Sequence, residues 1–70
     1  MRVVEVRAIR TILMGLIGDM REWLDQRNGG TDVRFNVERD GAVGIVTVQF
    51  DTDDAFAERF RNAFRGSYID

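Results

Sequence analysis

VRFNVERDGAVGIVTVQF, residues 33–50, is the stretch whose reading decides the fold. Apolar residues alternate with polar ones on both sides of Asp40-Gly41, and a period of two places successive side chains on opposite faces of a strand. Asp-Gly favours a two-residue type I′ loop, in which both central residues take φ > 0 and Gly does so without steric penalty. With Asp40 and Gly41 as the loop, Arg39 pairs with Ala42, Val37 with Gly44, Phe35 with Val46 and Val33 with Val48. One face of this hairpin is then apolar. The other carries Asp32, Arg34, Asn36 and Glu38 against Gln49, Thr47, Ile45 and Val43, polar at the open end and apolar near the turn. A slip of one residue would send Phe35 and Val46 to opposite faces, so turn and pattern reinforce one another.

Upstream, Val4, Val6 and Ala8 alternate with Val3, Glu5 and Arg7, which predicts a short first strand with one apolar face. From Ile9 the period changes. Ile9, Leu13, Leu16, Ile17, Met20, Trp23, Leu24 and Arg27 follow helical spacing, with Arg10, Asp19, Arg21, Glu22 and Asp25 on the opposite side. Thr11 is the expected N-cap, and Asn28-Gly29-Gly30 the expected stop. The alternative is one helix from Val3 to Asn28, about 38 Å long at 1.5 Å per residue, which a chain this small would cover only as a dimer. Gly15 and Gly18 inside the helix predict tight packing of helix on sheet, or else a notch for a ligand or partner helix.

Downstream, Phe56, Phe60 and Phe64 recur every four residues and form one stripe of a second helix. Asp51 or Thr52 is the expected cap, and Arg59, Arg61 and Arg65 gather toward the negative end of the helix dipole. Glu58 lies within reach of Arg61 and Asn62. Gly66 is the expected stop, and Tyr68-Ile69 a stub of edge strand. The expected core is Phe35, Val46, Val48, Phe50, Phe56, Phe60, Phe64, Leu13, Ile17, Met20 and Leu24.

Seventy residues and 8.0 kDa allow one domain, residues 1–70. Scaling laws give about 4,400 Å² of exposed surface when folded against about 11,600 Å² unfolded. Burying that difference, about 60% of it apolar, returns on the order of 105 kcal/mol, and ordering the chain at about 1.5 kcal/mol per residue nearly cancels it. With no Cys or His, neither disulfide nor zinc site reinforces so small a core. Self-association is the remaining support, and the expected partner is a second copy of the chain or another protein.

The net charge is −2, and all ten cations are Arg. Arg suits bidentate contacts with phosphates and carboxylates, but here it is scattered among twelve acids and forms no block; a GC-rich genome is the plainer source of the bias. Charged residues bracket the greasiest run, Thr11 to Gly18, and no small-residue cleavage site follows it. A cytoplasmic protein without membrane contact is expected.

The inventory is poor in chemistry. No His, Cys or Lys is present, and Ser67, the only serine, has no activating partner nearby in sequence. No catalytic residue, cofactor or metal site is assigned. Asp51, Asp53 and Asp54 resemble a calcium loop only superficially, since the sixth and twelfth positions hold Phe56 and Asn62 where an EF-hand needs Gly and Glu. Gly41-Ala42-Val43-Gly44 is not followed by the Gly-Lys-Ser/Thr of a phosphate loop.

The order strand, helix, strand, strand, helix, with a short C-terminal strand at Tyr68-Ile69, resembles the ferredoxin-like arrangement of ACT-type regulatory domains and RNA-recognition motifs. The resemblance implies an α+β fold with the hairpin 32–50 and two helices packed on one face. Against the RNA-recognition signature, Gly44, Val48 and Phe50 match, while Ile45 and Thr47 stand where stacking aromatics belong and Val43 where a cation does. No effector-binding motif of the ACT type is present.

These readings predict a non-catalytic interaction or regulatory module that self-associates through the open face of its sheet, with Arg34, Asn36, Val43, Ile45 and Thr47 as the interface. The alternatives are nucleic-acid binding through Arg34, Arg39, Arg59, Arg61 and Arg65, and a small-molecule effector domain of ACT type.

Overall fold

Residues 1–28 and 33–69 are described by a computed structural model. The expected helix stop at Gly29-Gly30, and Asp32 at the start of the hairpin, lie outside them. The elements are β1 (Arg2–Ile9), α1 (Arg10–Asn28), β2 (Val33–Asp40), β3 (Val43–Phe50), α2 (Asp54–Phe64) and β4 (Ser67–Tyr68). The four strands form one sheet in the order β2-β3-β1-β4, and every neighbouring pair is antiparallel. Residues 2–9 are therefore a strand, and the alternative of one long first helix is excluded.

The hairpin forms with a different loop from the one expected. Asp40 pairs with Val43, so the two loop residues are Gly41 and Ala42. Gly41 takes φ +63° and Ala42 has no positive φ, which is the Gly-X pattern of a II′ loop in place of the Asp-Gly pattern of I′. Each β2 residue meets a partner two positions further along β3, so Val37 faces Val46, Phe35 faces Val48 and Val33 faces Phe50. A change of two preserves which face each side chain takes. The apolar face is intact.

β1 lies at the centre of the sheet, with Val4 opposite Val48 and Val6 opposite Val46. Both helices cover the face that these residues share. Leu13 of α1 fills the space above Gly44, where an added Cβ would lie 2.9 Å from Leu13 Cγ. Phe56 and Phe60 of α2 lie against Phe50, ring centroids 5.6 and 5.4 Å away. The buried core is Val4, Val6, Leu13, Met20, Leu24, Val46, Val48, Phe50, Phe56, Ala57 and Phe60. Phe35, Ile17 and Phe64, expected at the centre, pack at its margin, and Val4 and Val6 replace them because β1 is an inner strand. The accessible surface, 4498 Å², matches the scaling expectation.

The helix ends differ from expectation in instructive ways. Thr11 lies inside α1, which begins at Arg10; the Arg10 amide donates to the Ala42 carbonyl at 3.0 Å, so the hairpin loop satisfies one of the free amides of the helix start. Asp53, in place of Asp51 or Thr52, caps α2, accepting from the Phe56 amide at 2.9 Å. Asp51 is occupied instead by the Gln49 amide at 2.7 Å. The left-handed residue that ends α2 is Arg65, at φ 53°, and the Gly66 amide donates back to the Arg61 carbonyl at 2.9 Å. Gly66 is needed for room: a Cβ there would lie 3.1 Å from the Glu5 carbonyl oxygen. Gly15 and Gly18, by contrast, are exposed, and an added Cβ would meet nothing within 4 Å. They do not mediate packing of α1 on the sheet.

Candidate interaction site

The sheet face turned away from the helices is covered by no described element. Its layout follows from the two registers around β3. Nearest the turn lie Asp40, Val43 and Ile9; next come Glu38, Ile45 and Arg7; then Asn36, Thr47 and Glu5; and last Arg34, Gln49 and Val3. β4 extends the third row with Ser67 beside Glu5. Ile9 is 56% exposed, Val43 37%, and Ile45 is half-buried between its neighbours, so an apolar seam runs up the turn end of the face. A shallow depression lined by Ile9, Arg10, Thr11 and Ala42 continues that seam around the edge onto α1, where Ile12 is also exposed.

The five residues expected at the interface, Arg34, Asn36, Val43, Ile45 and Thr47, all fall on this face, because strand parity survived the change of loop. Sequence reasoning missed the contribution of β1. Ile9, Arg7 and Glu5 join the face only through the pairing of β1 with β3, a contact between residues some forty positions apart that no local pattern encodes. Arg7 Nε donates to Glu5 Oε1 at 2.6 Å and Arg34 Nε lies 3.7 Å from Asp51 Oδ2, and both Arg side chains remain largely exposed.

Arg34, Arg39, Arg59, Arg61 and Arg65 do not share a surface. Arg34 lies on the open face, whereas Arg59 and Arg61 belong to α2 and Arg65 to its C-terminal cap, on the other side of the sheet. Arg61 is engaged: its Nη2 donates to Glu58 Oε1 at 2.6 Å. The Tyr68 hydroxyl donates to Glu58 Oε2, and the Arg2 guanidinium sits 3.6 Å above the Tyr68 ring. The Arg61 bonds, reinforced by the Tyr68 hydroxyl, hold the Glu58 carboxyl down at about 2, and the same carboxylate raises the Tyr68 hydroxyl above its usual range. This cluster fastens β4 to α2.

Among the described residues no group of three His, Cys, Asp or Glu side chains is arranged to hold a metal ion, and no helix is long and apolar enough to cross a membrane. No protein-family model, curated protein or solved structure matches the chain.

Proposed function

We propose that this chain is a non-catalytic interaction module of ferredoxin-like type whose open sheet face binds a second copy of itself. The strand order read from the β4 edge, β4-β1-β3-β2, with a helix after β1 and another after β3, supports the ferredoxin-like reading. Topology of this kind carries little about activity, so the site must carry the function. The sequence contains no His, Cys or Lys, which supports recognition as the role of the face.

One observation carries the reading: the row Glu38, Ile45, Arg7 is self-complementary. Two sheets stacked in aligned fashion about a two-fold axis running along β3 set Ile45 on the partner's Ile45 and Arg7 on the partner's Glu38. Apolar meets apolar at the axis, with opposite charges on either side. Stacking Val43 on the partner's Val43, beside Ile45, also supplies additional apolar area that a core of this size lacks.

Sedimentation equilibrium across a dilution series tests it, with Ile45→Arg as the variant. The native chain is expected to sediment above its single 8.0 kDa mass, and the variant to lose the open-face step of that association, sedimenting at a lower mass than the native chain with unchanged far-UV circular dichroism. An unaltered mass in the variant would refute the proposed face.

A further inference from the structure

The outer edge of β2 is a second surface with its own logic. β2 is the terminal strand at one side of the sheet and runs for eight residues, whereas β4 at the other side has two. A two-residue loop makes its flanking pair, Asp40 and Val43, hydrogen-bonded, and the bonds then alternate along the strand. The amides and carbonyls of Val33, Phe35, Val37 and Arg39 therefore point away from β3. The phase agrees with the rest of the ladder, where the Arg10 amide reaches Ala42 and the Ile69 amide reaches Val3. Exposed edges are commonly blunted by Pro, by a bulge, by a covering element or by charged side chains, and of these β2 has only the charges, among them Arg34 and Glu38. β2 has no Pro, its register with β3 is unbroken over all eight residues, and no described element covers its outer edge.

We propose that β2 is the pairing edge for a second copy of this chain, the two β2 strands lying antiparallel about Asn36 so that one sheet runs through both copies. The occupant follows from the charges. Centring on Asn36 sets Arg34 of one copy opposite Glu38 of the other, twice by symmetry, in the non-hydrogen-bonded positions where side chains come closest. On the helix side it sets Phe35 opposite Val37, in hydrogen-bonded positions whose free amides and carbonyls match. Moving the centre to Val37 would keep Arg34 opposite a carboxylate, Asp40, but would set Arg39 against Phe35 on the helix side in place of the apolar pair, and moving it to Phe35 would place Arg34 against Asn36 and lose the paired charges. This edge is distinct from the open face, and one copy can use both, so the inference does not rest on the face-to-face reading.

The test exploits the absence of cysteine. In the paired edge the two Asn36 Cα atoms stand about 4.5 Å apart, within disulfide reach, whereas face stacking about β3 sets Asn36 over the partner's Glu5. Asn36→Cys, incubated with oxidised glutathione, is expected to give a disulfide-linked dimer, while Arg59→Cys on exposed α2 is not. The link is expected to survive Ile45→Arg and to be lost with Val37→Pro, which removes an outward amide without touching the β3 ladder. Should Val37→Pro fail to fold, Arg34→Glu is expected to diminish the cross-link and the charge exchange Arg34→Glu with Glu38→Arg to restore it. Cross-linking no greater than that of the Arg59→Cys control, or abolished by Ile45→Arg, would overturn the proposal.

Discussion

Trp23 of α1 lies flat against Phe56 of α2, ring centroids 5.3 Å apart and planes 15° from parallel, and the same indole meets Phe60 and Phe64 edge-on at 5.6 and 6.0 Å. One side chain of the first helix thus spans the whole phenylalanine stripe of the second. Trp23→Ala is expected to destabilise the fold by about 3 kcal/mol, the lower end for a large aromatic because the indole is only half-buried, and Trp23→Phe by about 1 kcal/mol. Urea unfolding followed by circular dichroism measures both. A loss near zero for the alanine variant would mean that the helices are held by the sheet alone.

The Glu58 cluster gives stability an acid dependence. The Glu58 carboxyl titrates at about 2 in the folded chain against 4.5 in its ordinary environment, because Arg61 and then Tyr68 bond its charged form. A lowered folded value stabilises the fold above the unfolded value, and that contribution disappears as pH falls from about 4.5 to 2. Glu58→Gln is expected to flatten the decline of the urea midpoint across that window, and Tyr68→Phe to reduce it less, since Arg61 remains. Identical pH profiles for native chain and Glu58→Gln would contradict the assignment.

The glycines divide by surroundings. Gly44→Ala drives a methyl into Leu13 and is expected to cost about 1–3 kcal/mol through forced repacking. Gly15→Ala and Gly18→Ala meet open space inside an exposed helical turn and are expected to stabilise by about 1 kcal/mol each. Thermal melts of the three variants should move in opposite directions.

Arg65 holds a left-handed conformation that costs a residue with a Cβ roughly 1–2 kcal/mol and costs glycine little. Arg65→Gly is accordingly expected to stabilise the chain by up to about 1 kcal/mol, read as a rise in melting temperature. A fall would show that the Arg65 side chain contributes more than its backbone loses.

Much of this architecture was legible because two periodicities, two for Val33–Phe50 and near four for Phe56, Phe60 and Phe64, survive small errors of placement. The loop shifted by one residue, from Asp40-Gly41 to Gly41-Ala42, yet every hairpin side chain kept its face, since the partner changed by two. What was illegible depends on contacts between distant segments. Nothing near Val4 or Val6 says that β1 is an inner strand, so their burial was underestimated and the share of Arg7 and Ile9 in the open face was missed. Asp51, Thr52 and Asp53 are equally good caps by composition, and only the Gln49 bond to Asp51 and the position of Phe56 select Asp53. Gly15 and Gly18 carry no local mark that distinguishes a helix face against a sheet from one against solvent.

Self-association through the open face is most directly measured by sedimentation equilibrium of the native chain and of Ile45→Arg over the same dilution series. The account predicts a native mass above 8.0 kDa that falls on dilution, and a variant of lower mass whose open-face contact is lost while its fold is retained. A native chain that stays at the single mass at the highest concentration reached, or a variant that associates as the native chain does, would contradict it.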